Sequence, residues 1–439
     1  MGGPILQCAP ALLAFALILA AASARAETLR ESVEQALRNF PEVRSAISNR
    51  RALEQTVPQA RAGLLPSLDG TFGRGRERTN SSLTRAQRDG PWIAKNRQEL
   101  ELTVSQLIFD GGTTWNAMKR QEAKTQSAAE QVENVSENVA LRTAQAFFEV
   151  LRLRSLIELA TENVAVHRRT LEQVMSRSEK GVGRRSDDRQ TEARVALALA
   201  SLTQLGGQLD EAEAAYRHLT GAFPGQLLRG EPALSAIPDL QQKAVDEARA
   251  THPAVRATER ELEAALAELE SARGRILPRL TLELGATNDR DIDGVAGLNA
   301  ERIAMLRLRH NFFRGGADVA RIMEAEARRY EAIDHLVGIR NDVERDVRQA
   351  WQSLASDRSR LSVLQAYAEA AADVVEAYRS QFRIGQRSLL DVLNAENEHF
   401  TARSNYLTAA YAVDVGVYRL LAAMGRMLQH LGLRPSENP

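Results

Sequence analysis

The chain is written twice. SVEQALRNFPEVRSA (32–46) aligns with AVDEARATHPAVRAT (244–258), placing Pro41 on Pro253 at an offset of 253 − 41 = 212. ARAGLLPSL (60–68) aligns with ARGRILPRL (272–280) at the same offset, and FDGG (109–112) then falls on FRGG (313–316) at 313 − 109 = 204. The shorter offset persists to the end, with Gln145-Ala146-Phe147 on Gln349-Ala350-Trp351, Gly181 on Gly385, Asp187 on Asp391 and Glu192 on Glu396. Such a repeat requires each half to fold as the same unit. The missing 212 − 204 = 8 residues place a surface loop between Leu-Pro and Phe-x-Gly-Gly.

The edges of that interval alternate with period two. Leu68, Gly70 and Phe72 alternate after Pro66; Leu100, Leu102 and Val104 alternate against Glu99, Glu101 and Thr103. In the second half Leu280, Leu282 and Leu284 oppose Thr281 and Glu283, and Leu306 and Leu308 oppose Arg307 and Arg309. Each half is therefore expected to carry one hairpin, over 66–109 and 278–313, with about ten residues per strand, the length a tilted strand needs to cross a bilayer. An ordinary half-buried hairpin gives the same pattern strand by strand. Two such hairpins beside very long helices, with no other sheet to join, favour the membrane. Four strands cannot close a barrel and open edges do not survive in lipid, so copies must pool their strands.

The rest reads as helix. No proline occurs between Pro91 and Pro224 or between Pro278 and Pro435, and long helices are expected over 113–180 and 317–383. At ~1.5 Å per residue each is on the order of 100 Å long. Ala146, Val150, Leu153, Ile157, Ala160, Val164, His167, Leu171 and Val174 form a seam spaced alternately four and three, and the second half repeats it from Val343 to Phe382. That spacing is coiled-coil packing; His167 and Asp357 are read as tolerated polar positions in it, not as ligands. Each long helix ends in a glycine turn, at Gly181 and Gly183 and at Gly385, and a shorter helix returns over 187–219 and 389–424. The helices before each hairpin, 42–62 and 254–275, are expected to stack end to end with the returning ones. FDGGTTWNA and FRGGADVAR then read as junctions: Phe109 and Phe313 at strand ends, and Gly111, Gly112, Gly315 and Gly316 where strand turns into helix.

Segments outside the repeats add the cellular context. An apolar run from Ala9 to Ala22 followed by Ala24-Arg25-Ala26 is read as an export signal over 1–26, although no Lys or Arg precedes the run. The single cysteine, Cys8, precedes the apolar run and is not placed as a lipid-modified residue, so the mature chain is expected to lack disulfides and a lipid anchor. The organisation is thus signal 1–26, first repeat 27–239, second repeat 240–428 and tail 429–439. The fold class is mainly α with a small β part: long coiled-coil helices plus two β-hairpins.

In their order and doubling, the ALRNFPEV stretch (36–43), the Leu-Pro hairpin starts, the F-x-G-G hairpin ends and GQRSLLDVLNAE (385–396) resemble the TolC family of outer-membrane efflux and secretion channels. The resemblance covers Leu29 to about Leu428. It implies a homotrimer with a twelve-stranded outer-membrane barrel continued by a twelve-helix periplasmic α-barrel, in a Gram-negative cell. The glycine turns would lie at the periplasmic tip, meeting a periplasmic adaptor and an inner-membrane pump. Carried over by motif, the gate residues are Ser186, Asp187, Arg387 and Asp391, with Arg387 pairing with a carboxylate of the neighbouring turn when closed. Two positions depart: Phe382 stands where the family has tyrosine, and Asn394 where it has a second aspartate, so the inner ring would hold three carboxylates at that level rather than six, and the cation blocking implied by the two-ring arrangement is left open. A simpler reading of Asp187 and Asp391 is acid at a helix N-terminus. The GVGRRSD stretch (181–187) resembles channels of type I protein secretion, which implies an ABC transporter and a secreted protein as cargo; an RND-type pump with small-molecule cargo is the alternative.

Other classes fare poorly. Charge balances at 57 Lys+Arg against 57 Asp+Glu, which gives nucleic acid no electrostatic foothold. The seven histidines form no metal-spaced pair, and there is no G-x-S-x-G or P-loop. No catalytic residue, cofactor or metal is expected. A periplasmic coiled-coil adaptor or rod would explain the helices but not the two hairpins.

Overall fold

The structure, a computed structural model, describes residues 26–86, 92–181, 184–231 and 233–434. In chain order it comprises α1 (Leu29–Asn39), α2 (Pro41–Glu54), α3 (Thr56–Ala62), β1 (Ser67–Thr79), α4 (Ser82–Arg85), β2 (Ile93–Phe109), α5 (Thr113–Glu179), α6 (Arg185–Thr220), a 3-10 turn (Leu234–Ala236), α7 (Gln241–Thr251), α8 (Pro253–Gly274), β3 (Arg279–Arg290), β4 (Leu298–Arg309), α9 (Ala317–Arg383), α10 (Leu389–Ala423) and α11 (Met427–Leu431). The long helices α5 and α9 each contain 67 residues. The chain packs as two compact units that cut across the sequence repeat, one of residues 48–131 and 254–339, the other of residues up to 47, 132–253 and from 340 onward.

The first unit holds a four-stranded antiparallel sheet in the order β1-β2-β3-β4. Register fixes its two faces. Leu68 opposes Val104, Phe72 opposes Leu100, Val104 opposes Leu284, and Leu280 opposes Leu308, so the apolar positions form one continuous face. Leu68 and Phe72 are 71% and 72% exposed, and Leu306 and Leu308 are 63% and 66% exposed. Exposure on that scale, with every Asp and Glu of the strands on the other face, is the pattern of a lipid-facing sheet. Among the described residues no helix is long and apolar enough to cross a membrane.

Two details differ from the sequence expectation. β1 and β2 span 13 and 17 residues rather than about ten, because pairing continues beyond the apolar band through Arg74–Thr79 and Ile93–Gln98. β4 ends at Arg309, where β3 offers its last partner, Arg279, so Phe313 lies beyond the strand and not at its end. Phe109 does close β2. The register shift between Leu107 and Phe109 is a bulge that inserts one residue and brings Phe109 opposite Leu280, on the apolar face.

In the other unit α1 is capped by Thr28 and Glu31 in a reciprocal box and buries Val33, Ala36 and Leu37. Tyr216 of α6, 1% exposed, donates to the Glu27 carboxylate at 2.7 Å, and Glu27 forms a parallel bridge with Leu227. Much of the α5 seam is buried: Val150, Leu153, Ala160, Val164, His167 and Val174 are each at most 5% exposed, and Phe148 stacks on Tyr418 of α10 at 5.6 Å. The α9 seam is more open, with Leu361, Leu364 and Ala368 only half-buried. The strap between α6 and α7 is pinned by Arg229, whose guanidinium lies 2.8 Å from Asp414 and 4.4 Å from the Tyr411 ring centre. Asp414 is 1% exposed, and burial raises its carboxyl above the ordinary range. Arg229→Ala is expected to lower stability by about 2 kcal/mol by leaving that carboxyl without its cation; a chemical denaturation midpoint unchanged from wild type would contradict it.

Candidate functional site at the helical turns

Two turns related by the repeat end the long helices α5 and α9. At the α9–α10 turn, Gly385 has φ +78°, its N–H donates to the Phe382 carbonyl at 3.0 Å, and the Gln386 N–H donates to the Gln381 carbonyl at 2.9 Å. That pair of bonds is a Schellman ending, which needs a left-handed residue at Gly385. At the α5–α6 turn, Gly181 donates to Ser178 at 3.0 Å in the equivalent way. Gly183 lies outside the described residues.

Ser388 starts α10. Its Oγ accepts from the Asp391 N–H at 3.2 Å and donates to Asp391 Oδ2 at 2.8 Å. Asp391 thus completes a cap, and its charge sits where the helix dipole favours it. Arg387 lies over the Tyr378 ring, 3.9 Å from its centre, donates from Nε to Gln381 at 3.1 Å, and holds Nη1 4.0 Å from Asp391 Oδ2. Within one protomer its partners therefore come from its own turn. Ser186 donates to Asp187 at 3.3 Å in the first turn of α6.

Phe382 has a packing role. It rests on Val174, Leu389 and Leu393, with the Arg177 guanidinium 5.0 Å from its ring centre. The hydroxylated aromatic at this level is Tyr378, one helical turn earlier, a residue the sequence reading placed only in the seam. Asn394 accepts from Arg194 of α6 at 3.0 Å, joining the two returning helices. Deeper still, His167 Nδ1 lies 3.4 Å from Glu396 Oε2, both side chains 3% exposed, while Glu396 Oε1 accepts from Arg379 at 3.1 Å. Burial lowers the His167 imidazole, aided by the positive charges of Arg194 and Arg379, and raises the Glu396 carboxyl. His167 is therefore a neutral member of a buried polar layer between helices.

The strand-to-helix junction is the second constrained place. Gly111, Gly112, Gly315 and Gly316 all have positive φ. At Gly111 the requirement is double: a Cβ there would lie 2.4 Å from the Gly274 carbonyl oxygen and 2.7 Å from Leu277 Cβ. The Ser271 hydroxyl of α8 donates to the Thr113 carbonyl at 3.1 Å and so ties α8 to the start of α5.

These sites contain polar pairs and helix caps, and among the described residues no three His, Cys, Asp or Glu gather to hold a metal. A sheet with one apolar and one charged face, joined through glycine hinges to helices of 67 residues, defines a membrane channel subunit. The family model for outer membrane efflux proteins matches residues 32–222 and 244–426, and the chain belongs to that family. Its members are transport proteins of the outer membrane that catalyse no reaction. The chain is 26% identical over 436 residues to the outer membrane efflux protein BepC of Brucella suis, covering 98% of this chain and 92% of that protein. It is 27% identical to the proteases secretion protein PrtF of Dickeya chrysanthemi, covering 91% and 88%. The crystal structure of the outer membrane protein VceC from Vibrio cholerae superposes with a TM-score of 0.78 at 17% identity, covering 91% and 96%.

Proposed function

We propose that three copies assemble into a closed twelve-stranded barrel continued by a helical tunnel, and that this channel is the exit duct for a secreted protein delivered by an ABC transporter through a periplasmic adaptor. The observation that carries closure is the sheet itself: β1 and β4 are open edges flanking an exposed apolar face, and open edges are not tolerated in lipid. The half-open α9 seam is consistent with further helices packing there. Protein cargo is supported by the likeness to PrtF, named for protease secretion, and by the GVGRRSD stretch. Small-molecule efflux with an RND-type pump is the second reading, favoured by the likeness to BepC. Deleting the gene separates them: loss of one or more large secreted proteins with unchanged drug susceptibility is expected, and drug hypersensitivity with an intact secretome would overturn the preference.

The tip is the gate in this reading, with Arg387 restraining its turn through Tyr378, Gln381 and Asp391 and meeting a carboxylate of the neighbouring turn, Asp187, in the closed trimer. Arg387→Ser is expected to raise single-channel conductance severalfold in planar bilayers. Unchanged conductance would remove Arg387 from the gate while leaving the channel assignment standing.

A further inference from the structure

Charge is segregated on the sheet. Every Asp and Glu of the four strands falls on one face, and the register places the charged residues of the other face as five arginines, Arg74, Arg76, Arg78, Arg290 and Arg302. That second face is the apolar one. Arg74, Arg76 and Arg78 follow one another along β1 immediately past Phe72, while Arg290 lies in the same row as Arg74, two strands across through Gln98. Two strand spacings put Arg74 and Arg290 roughly 10 Å apart, and alternate residues on β1 are roughly 7 Å apart. Arg302 lies four residues deeper than Leu298, the β4 residue of that row.

All five are exposed, and none forms an ion pair among the described residues. The contrast with the opposite face is direct: Arg97 pairs with Glu77 at 3.0 Å and Arg307 with Glu283 at 2.8 Å. Arg78 instead lies 5.4 Å from the ring centre of Trp92, a half-exposed indole at the same end of the hairpin. Neighbouring like charges on one sheet face repel, and guanidinium stems beside an apolar band are stable only where their heads reach the polar layer. The strip lies at the hairpin-turn end, away from the helix junctions, so in an outer-membrane protein with periplasmic helices it meets the outer leaflet.

We infer that Arg74, Arg76, Arg78 and Arg290 form a docking strip for the phosphorylated headgroups of outer-leaflet glycolipids. A phosphate accepts two parallel N–H bonds from a guanidinium, and lipids bearing two phosphates on a rigid sugar backbone match a row of separated arginines better than a single-phosphate zwitterion does. The acyl chains of the same lipid would cover Phe72, Leu100 and Leu102, which continue the face below. Specific binding of such lipid goes beyond general residence in a membrane.

The test uses the full chain in its assembled, detergent-solubilised form, titrated with bisphosphorylated lipid A, the same lipid stripped of both phosphates, and phosphatidylcholine, and read by native mass spectrometry. Lipid A is expected to bind at least tenfold more tightly than the stripped lipid or phosphatidylcholine. Arg74→Gln/Arg76→Gln/Arg290→Gln is expected to lose at least that tenfold preference, while Arg279→Gln/Arg309→Gln on the opposite face keeps it. Equal binding of the stripped lipid by the wild-type protein overturns the inference, and so does equal loss in the opposite-face variant. If the triple variant fails to assemble, the wild-type comparison of the two lipids and the single change Arg76→Gln decide the matter alone.

Discussion

Gly111→Val is expected to abolish the assembled channel. Its Cβ would stand 2.4 Å from the Gly274 carbonyl oxygen and 2.7 Å from Leu277 Cβ, on a backbone with φ +69°. Left-handed strain in a β-branched residue and forced overpacking together cost about 3–5 kcal/mol, concentrated at the point where strand must become helix. Gly112 is the internal control, since a Cβ there meets only Asn116 Nδ2 at 3.4 Å. Gly112→Ala should therefore cost about 1 kcal/mol from φ alone and still assemble. The measurement is the yield of assembled oligomer in isolated outer membranes on unheated gels. Wild-type yield from Gly111→Val would show that the hinge relaxes without the close approach to Gly274.

The second large effect concerns Glu137, 5% exposed on α5. Its carboxylate accepts the Met427 and Leu428 N–H groups at 3.1 Å each and so caps α11 across 290 residues of sequence. Burial pushes its carboxyl up to about 7, with Glu133 adding in the same direction and the two N–H bonds opposing. A folded value above the ordinary 4.5 means that its stabilising contribution is complete below about pH 4.5 and is lost as pH rises through about 7. The difference between wild type and Glu137→Gln should therefore change by about 3 kcal/mol across that window in favour of wild type at low pH. Glu137→Leu strands two buried donors at a cost of about 3 kcal/mol and should speed hydrogen exchange at residues 427 and 428. A pH-independent difference, or unchanged exchange, would show that the clamp is not formed as described.

The long helices and the four antiparallel strands were legible in the sequence because each rests on a local signal: proline-free runs, glycine at the turns, and alternation of Leu with Thr, Glu or Arg. The turn positions of Asp187 and Asp391 followed from the repeat, and that of Arg387 from the family motif after Gly385. What was hidden depends on contacts distant in sequence or on geometry without a letter code. Glu137 looks like any helical glutamate until α11 returns to it. Tyr378 reads as a seam residue until Arg387 settles over its ring, and Arg194 carries no hint that it reaches Asn394. The bulge that turns Phe109 onto the apolar face is one added residue, invisible to a pattern that counts alternation without knowing its partner strand.

The unequal hairpins have a consequence at the cell surface. Past the row of Arg74 and Arg290, β1 and β2 continue for five further pairs, from Gly75 with Arg97 to Thr79 with Ile93, while β3 and β4 have already turned. Five residues amount to roughly 16 Å along the strands. Closed around a threefold axis, the mouth would be notched like a battlement, with three tall merlons and three low gaps. The loop at 291–297 leans on the tall hairpin, the Asp293 N–H donating to Glu77 at 3.2 Å, so the low gaps are braced by their taller neighbours. At that end of the sheet the paired strands β1 and β2 reach past the ends of β3 and β4.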